Sequence, residues 1–150
     1  MKNLKKKEIE RVVNGYIWLA TLDNKTCLRC AALDGTFYLL ESKRPKMPLY
    51  DGCRCCYVPV TKTWKELGIE KEENSKILLR PDNFKVGVPC KTCKTFSQKF
   101  RTEFTREQKI NLVGSKRFKY VEFDLELSDL VDYQTGKLHS LKKLKEMVGI

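Results

Sequence analysis

Thr26-Cys27-Leu28-Arg29-Cys30 and, after a proline-containing loop, Cys53-Arg54-Cys55-Cys56 are the stretches on which the reading of this chain turns. A CxxC turn sets two thiolates on one side of a tight loop, so two such half-sites brought together complete a tetrahedral four-sulfur shell around Zn²⁺. A shell of that kind is closed to water and substrate, which makes it structural. The second cluster offers three sulfurs. Cys53 and Cys56 repeat the CxxC turn, whereas Cys53 and Cys55 point to one side if the segment is extended; spacing alone leaves both pairings open.

Outward from the cysteines, the chain alternates short strands and turns. Tyr16-Ile17-Trp18-Leu19-Ala20 is an aromatic and β-branched run too short for a helix and reads as a buried strand. Asp34-Gly35 is a turn signal before a second strand, Phe37 to Leu40. Lys43 to Pro48 is extended loop, because each proline disfavours helix in itself and in the residue before it. Tyr57-Val58-Pro59-Val60 is a third strand, its proline marking an edge position. The cysteines thus fall at strand ends and turns.

Upstream, Leu4, Ile9, Val12 and Val13 with charges between them predict a short amphipathic helix stopped by Asn14-Gly15. Downstream the character is helical. Lys65 to Gly68 reads as a helical turn ending at a glycine, and Pro81 to Val88 as a linker. Phe96, Phe100 and Phe104 line one helix face, which by default is a core face. Ser140 caps a last helix carrying Leu141, Leu144 and Val148. The fold class is α+β: a short N-terminal helix over 1–15, a zinc-stapled β core over 16–80, and a helical C-terminal extension of the same domain over 81–150.

With 150 residues, 41% hydrophobic and 33% charged, the chain has the composition of one globular domain. The lysine-rich start runs into Glu8-Ile9-Glu10-Arg11 rather than an apolar stretch, so neither a signal peptide nor a membrane span is expected, and the protein is expected to be intracellular. Seven cysteines, an odd number, fit a reduced compartment and a metal better than a disulfide framework. A net charge of +11 predicts salt-screened attraction to polyanions such as nucleic acid or an acidic protein surface.

Cys90-Lys91-Thr92-Cys93 is a third CxxC. It completes the site, holds a half-site for a partner, or is a pair of accessory thiols; an isolated pair lacks the ligands for its own tetrahedral site. The single histidine, His139, precedes the last helix, so no multi-histidine hydrolytic centre can be built. There is no GxxxxGK[ST] or GxGxxG phosphate loop. No catalytic residues and no small-molecule substrate are expected.

Trp18 to Asp23, running into Thr26-Cys27-Leu28-Arg29-Cys30-Ala31-Ala32-Leu33-Asp34-Gly35, then the proline loop, Cys53-Arg54-Cys55 and Val58-Pro59-Val60, together resemble the core motif of the Mu F-type phage head morphogenesis family. Val113 to Arg117, Leu127 to Asp132, Thr135-Gly136 and Leu141 to Leu144 are similar to the tail that follows this core in family members. The resemblance implies a non-enzymatic minor head protein made in the bacterial host cytoplasm. It also implies association with portal and capsid proteins during procapsid or virion assembly, and non-specific contact with packaged DNA. The family's Cys-Arg-Cys element implies Cys27, Cys30, Cys53 and Cys55 as the zinc ligands, with Cys56 as the alternate for the fourth. Tyr50 stands where the family usually has a histidine, which favours an all-cysteine shell. The long helical region that commonly precedes the core in the family has no counterpart before Tyr16, so portal docking carried by that region is not implied. The rival classes are a zinc-ribbon nucleic-acid-binding regulator and a cysteine-dependent enzyme.

Overall fold

The computed structural model describes residues 2–21, 23, 25–72 and 95–150. It is an α+β fold, with six α-helices and one three-stranded antiparallel sheet among the described residues. In chain order these are α1 (Lys2–Val12), β1 (Val13–Leu19), α2 (Leu28–Leu33), β2 (Phe37–Leu39), β3 (Cys56–Thr61), α3 (Phe96–Thr102), α4 (Arg106–Val113), α5 (Ser115–Phe123), a 3-10 turn (Leu127–Leu130) and α6 (Leu141–Val148).

The longest strand, β1, takes the middle of the sheet, in the order β2-β1-β3. β1 pairs with β2 from Gly15 opposite Leu39 to Ile17 opposite Phe37, and with β3 down to Leu19 opposite Cys56. Period-two alternation splits its side chains between the two faces. Trp18 is fully buried on one face with Tyr38, and the Tyr57 ring stands edge-on to both at 5.4 and 5.9 Å. Ile17, Phe37 and Val60 form a small separate cluster. Pro59 lies in the edge strand β3, where its missing N–H costs no ladder bond.

Three expectations need correction. Asn14 and Gly15 lie inside β1 rather than ending a helix at a turn: α1 already stops at Val12, and Gly15 is buried against the Tyr38 carbonyl and the Phe37 ring. The residues after Cys27 form a helix, α2, a local structure that the strand-and-turn reading missed because six residues are too few to show a period. Phe104 lies beyond the end of α3, yet its ring packs against Phe96 and Phe100 at 5.6 and 5.7 Å. The expected core role of this aromatic face holds, with Phe96 and Phe100 buried. The linker reading of Pro81 to Val88 lies outside the described residues.

One large hydrophobic cluster joins the two ends of the chain. Trp18 and Tyr38 from the sheet, Ala31 to Leu33 from α2, Phe96 and Phe100 from α3, Phe118 and Tyr120 from α5, Leu127 and Leu130, and Leu144 from α6 all belong to it. Polar clamps align these layers. The Asp34 carboxylate accepts from Ala20 N at 2.8 Å and from Phe96 N at 2.7 Å, tying the end of β1 to the start of α3. The Tyr38 hydroxyl donates to the Tyr133 carbonyl and Arg29 Nε donates to the Gly136 carbonyl, both at 2.6 Å. As expected, Ser140 caps α6, accepting from Lys143 N at 3.2 Å. No helix among the described residues is long and apolar enough to cross a membrane.

Candidate metal centre

Two loops at the same end of the β1–β3 pair build the centre. The first follows β1 and ends at Cys27, which is the N-cap of α2: its extended backbone (φ −72°, ψ 160°) aims the sulfur back over the helix start, where it accepts from Cys30 N at 3.5 Å. One turn on, Cys30 is buried in α2. The second loop, Cys53 to Cys55, leads into β3, whose pairing with β1 carries it alongside the first.

The sulfurs of Cys30, Cys53 and Cys55 all lie within 4.8 Å of one another, close enough to share one metal ion. Cys30 and Cys53 are 3.8 Å apart, Sγ to Sγ. Of the sulfurs expected from the sequence, these three are thus brought together. Cys27 sits at the edge of the group, against Cys30 and hydrogen-bonded to the Tyr50 hydroxyl. Cys56 is exposed at the start of β3 and is not in the group, because one residue further along an extended chain faces the other way. Cys90 and Cys93 lie outside the described residues. His139 makes a backbone bond to the Leu130 carbonyl, at the turn before α6.

The electrostatics are those of crowded thiols. Cys30 is pushed well above the ordinary thiol range because its proton is held between the Cys27 and Cys55 sulfurs. Those partners are lowered in turn. Cys27 falls to about 5, mainly through the Cys30 thiol, with burial opposing and the Cys30 N–H and Tyr50 hydroxyl assisting. Cys55 falls to about 7, again chiefly through Cys30, with smaller help from Cys53 and the Trp18 indole. Tyr50 is raised to about 12 by its hydrogen bond to Cys27. A divalent cation suits such a set, since metal binding requires the thiolate forms and neutralises them. A cavity of about 10 Å³ lined by Thr21, Thr26, Cys30, Tyr50, Arg54 and Cys55 lies among these groups.

Three supporting groups were not legible as such in the sequence. The Trp18 indole nitrogen is buried with no conventional hydrogen-bond partner and lies beside Cys55. Asp23 and Arg54 form a two-pronged ion pair between the loops. Thr26 donates to the Thr21 carbonyl and to Asp23 Oδ1. In the sequence Asp23 and Thr26 stand as members of the ordered motif without a structural role, and nothing local pairs Asp23 with an arginine 31 positions away.

The fold and the cluster together define a class: an α+β domain whose three grouped cysteines can hold a metal ion. Comparison of the chain with protein-family models, with curated proteins and with solved structures gives no match.

Proposed function

We propose that this chain is a binding protein of tailed-phage or prophage head assembly, stapled by one structural Zn²⁺ on Cys27, Cys30, Cys53 and Cys55. The observation that carries this reading is that the non-cysteine residues of the ordered motif serve the cysteine loops. Trp18 lies beside Cys55, and Thr21, Asp23 and Thr26 bond the loop before Cys27 to itself and to Arg54. Asp34 and Gly35 fix the exit of α2, Gly35 N donating to the Trp18 carbonyl at 2.8 Å. That arrangement supports reading the motif as one unit around the cysteines, and with it the resemblance to the head-morphogenesis core. The phage assignment itself rests on that ordered motif.

Zinc is the metal this donor set favours, since soft thiolates in a closed tetrahedral shell select it over harder cations. Cys27 completes the four. No catalytic role is assigned to the centre, because four thiolates leave no open position. In this reading the protein acts in the host cytoplasm during procapsid assembly, next to portal and capsid proteins. The +11 charge favours weak, sequence-independent contact with packaged DNA.

The test is co-purification. The tagged full-length chain, expressed with the portal and major capsid proteins encoded beside it, is expected to capture at least one of them and to carry one zinc per chain. A zinc-loaded protein that captures neither, yet binds one DNA sequence tightly at high salt, would establish the zinc-ribbon regulator instead.

A further inference from the structure

We infer that the Asp23–Arg54 ion pair is a latch that docks the two cysteine loops on each other and thereby sets how tightly, and for how long, the metal is held. The inference rests on the metal-centre reading above. Arg54 stands between two of the grouped cysteines, Cys53 and Cys55, and its guanidinium reaches across to the loop that precedes Cys27. Nη1 donates to Asp23 Oδ2 and Nη2 to Asp23 Oδ1, both at 2.7 Å, in a parallel fork. The backbone of the same residue is also held, for the Arg54 carbonyl accepts from Thr21 Oγ1 at 3.2 Å. On the other side, Asp23 is anchored to the first loop: its Oδ1 accepts from Lys25 N at 2.9 Å and from Thr26 Oγ1 at 3.3 Å, one residue before Cys27. The carboxylate is therefore a four-donor node with one loop on each side. These contacts hold Asp23 well below the usual carboxylate range, with the Arg54 hydrogen bond the largest cause.

An isolated exposed ion pair contributes little to stability, because water and salt screen it and two side chains must be ordered. This pair differs in geometry. It is bidentate and networked, which gives direction as well as attraction, and it spans the one seam that a metal must also span. Arginine is required for that fork, since a lysine offers a point charge without the planar pair of donors. Groups that orient metal ligands without touching the metal commonly change affinity by about 10- to 100-fold when removed. Asp23 and Arg54 are positioning residues in that sense: they act through Cys27, Cys53 and Cys55.

The experiment uses the full-length protein loaded with Zn²⁺ and, in parallel, with Co²⁺, whose thiolate charge-transfer band counts bound sulfurs. Zinc affinity and release rate are measured by competition with a chromophoric chelator, at low and high salt, for the parent, Asp23→Asn, Arg54→Lys and the double variant. Each single variant is expected to bind zinc about tenfold more weakly and to release it faster. The Co²⁺ band should keep the parent's thiolate count, and the melting temperature of the metal-free protein should stay close to the parent's. The double variant should lose no more than the worse single variant, because both break the same contact. High salt should speed release from the parent and leave the variants nearly unchanged. Parent-like affinity and release in Arg54→Lys would overturn the latch while leaving the metal centre intact. Equal destabilisation of metal-free and loaded protein at unchanged affinity would overturn it too, as a merely structural pair. A parent that binds no zinc would remove the reading on which the latch rests.

Discussion

Cys55 and Cys56 are neighbours, and the difference between them is one step of an extended chain. Cys55 faces the other sulfurs, while Cys56 faces out from the edge strand. Metal analysis of single serine variants should therefore show zinc lost from Cys30→Ser, Cys53→Ser and Cys55→Ser but kept in Cys56→Ser; the reverse result for the last two would reassign the ligand. Asp34 makes a different point about single residues. Each of its oxygens takes one backbone N–H in a buried site. In Asp34→Asn one of those donors meets an amide NH₂, so the variant should lose about 1–3 kcal/mol in urea unfolding at neutral pH. Burial, the largest influence, raises this carboxyl above its ordinary 3.8, with the backbone donors opposing. Because the folded state holds the proton more tightly than the unfolded chain, the stability linked to Asp34 is full below that ordinary value. It declines as pH rises through the folded value. Asparagine has no such titration, so the gap between parent and variant should be widest in acid and narrow upward.

At the level of elements, β1 organises everything around it, and Gly15 is where it touches β2 most closely. A Cβ there would fall on the Tyr38 carbonyl and stand 2.8 Å from the Phe37 ring, with only rigid groups to yield. Gly15→Ala should cost about 1–3 kcal/mol, the usual range for overpacking a buried site, read as a lower thermal midpoint. A parent-like midpoint would show that β2 can slide away without loss. The sequence marks Asn14-Gly15 as a break, and a break does occur, between α1 and β1. What it does not display is that the glycine serves a close approach inside the strand, because that need arises only when β2 arrives from more than twenty residues away.

For the whole molecule, the decisive fact is the shared core. Phe118, Tyr120, Leu127, Leu130 and Leu144 pack in the same cluster as Trp18, Tyr38 and α2. A chain ending after Val113 would lose all five and open the part of the cluster around α2 to water. Removing one such residue commonly costs about 2–5 kcal/mol, against a total stability of about 5–15 kcal/mol for a typical domain. The truncated protein should therefore show no cooperative melt, with or without zinc. The docking proposed above is therefore better probed in the full-length protein. The Phe96–Phe104 face is already covered, with Phe96 and Phe100 buried, but the exposed lysines of α6 can be reversed to glutamate: Lys142, Lys143 and Lys145.

The α+β class, the three strands, the capped last helix and the candidate cysteines were all legible in the sequence, since each depends on local chemistry: alternation, turn residues, caps and thiol spacing. The choice of Cys55 over Cys56 was not legible from spacing alone; it came from the strand pairing that orients the second loop. The Asp23–Arg54 pair, the two-handed grip of Asp34 and the packing of the C-terminal elements into one core with α2 and Trp18 were likewise beyond the sequence. Each joins residues far apart in the chain, and such contacts exist only once hydrophobic burial has closed the loops between them.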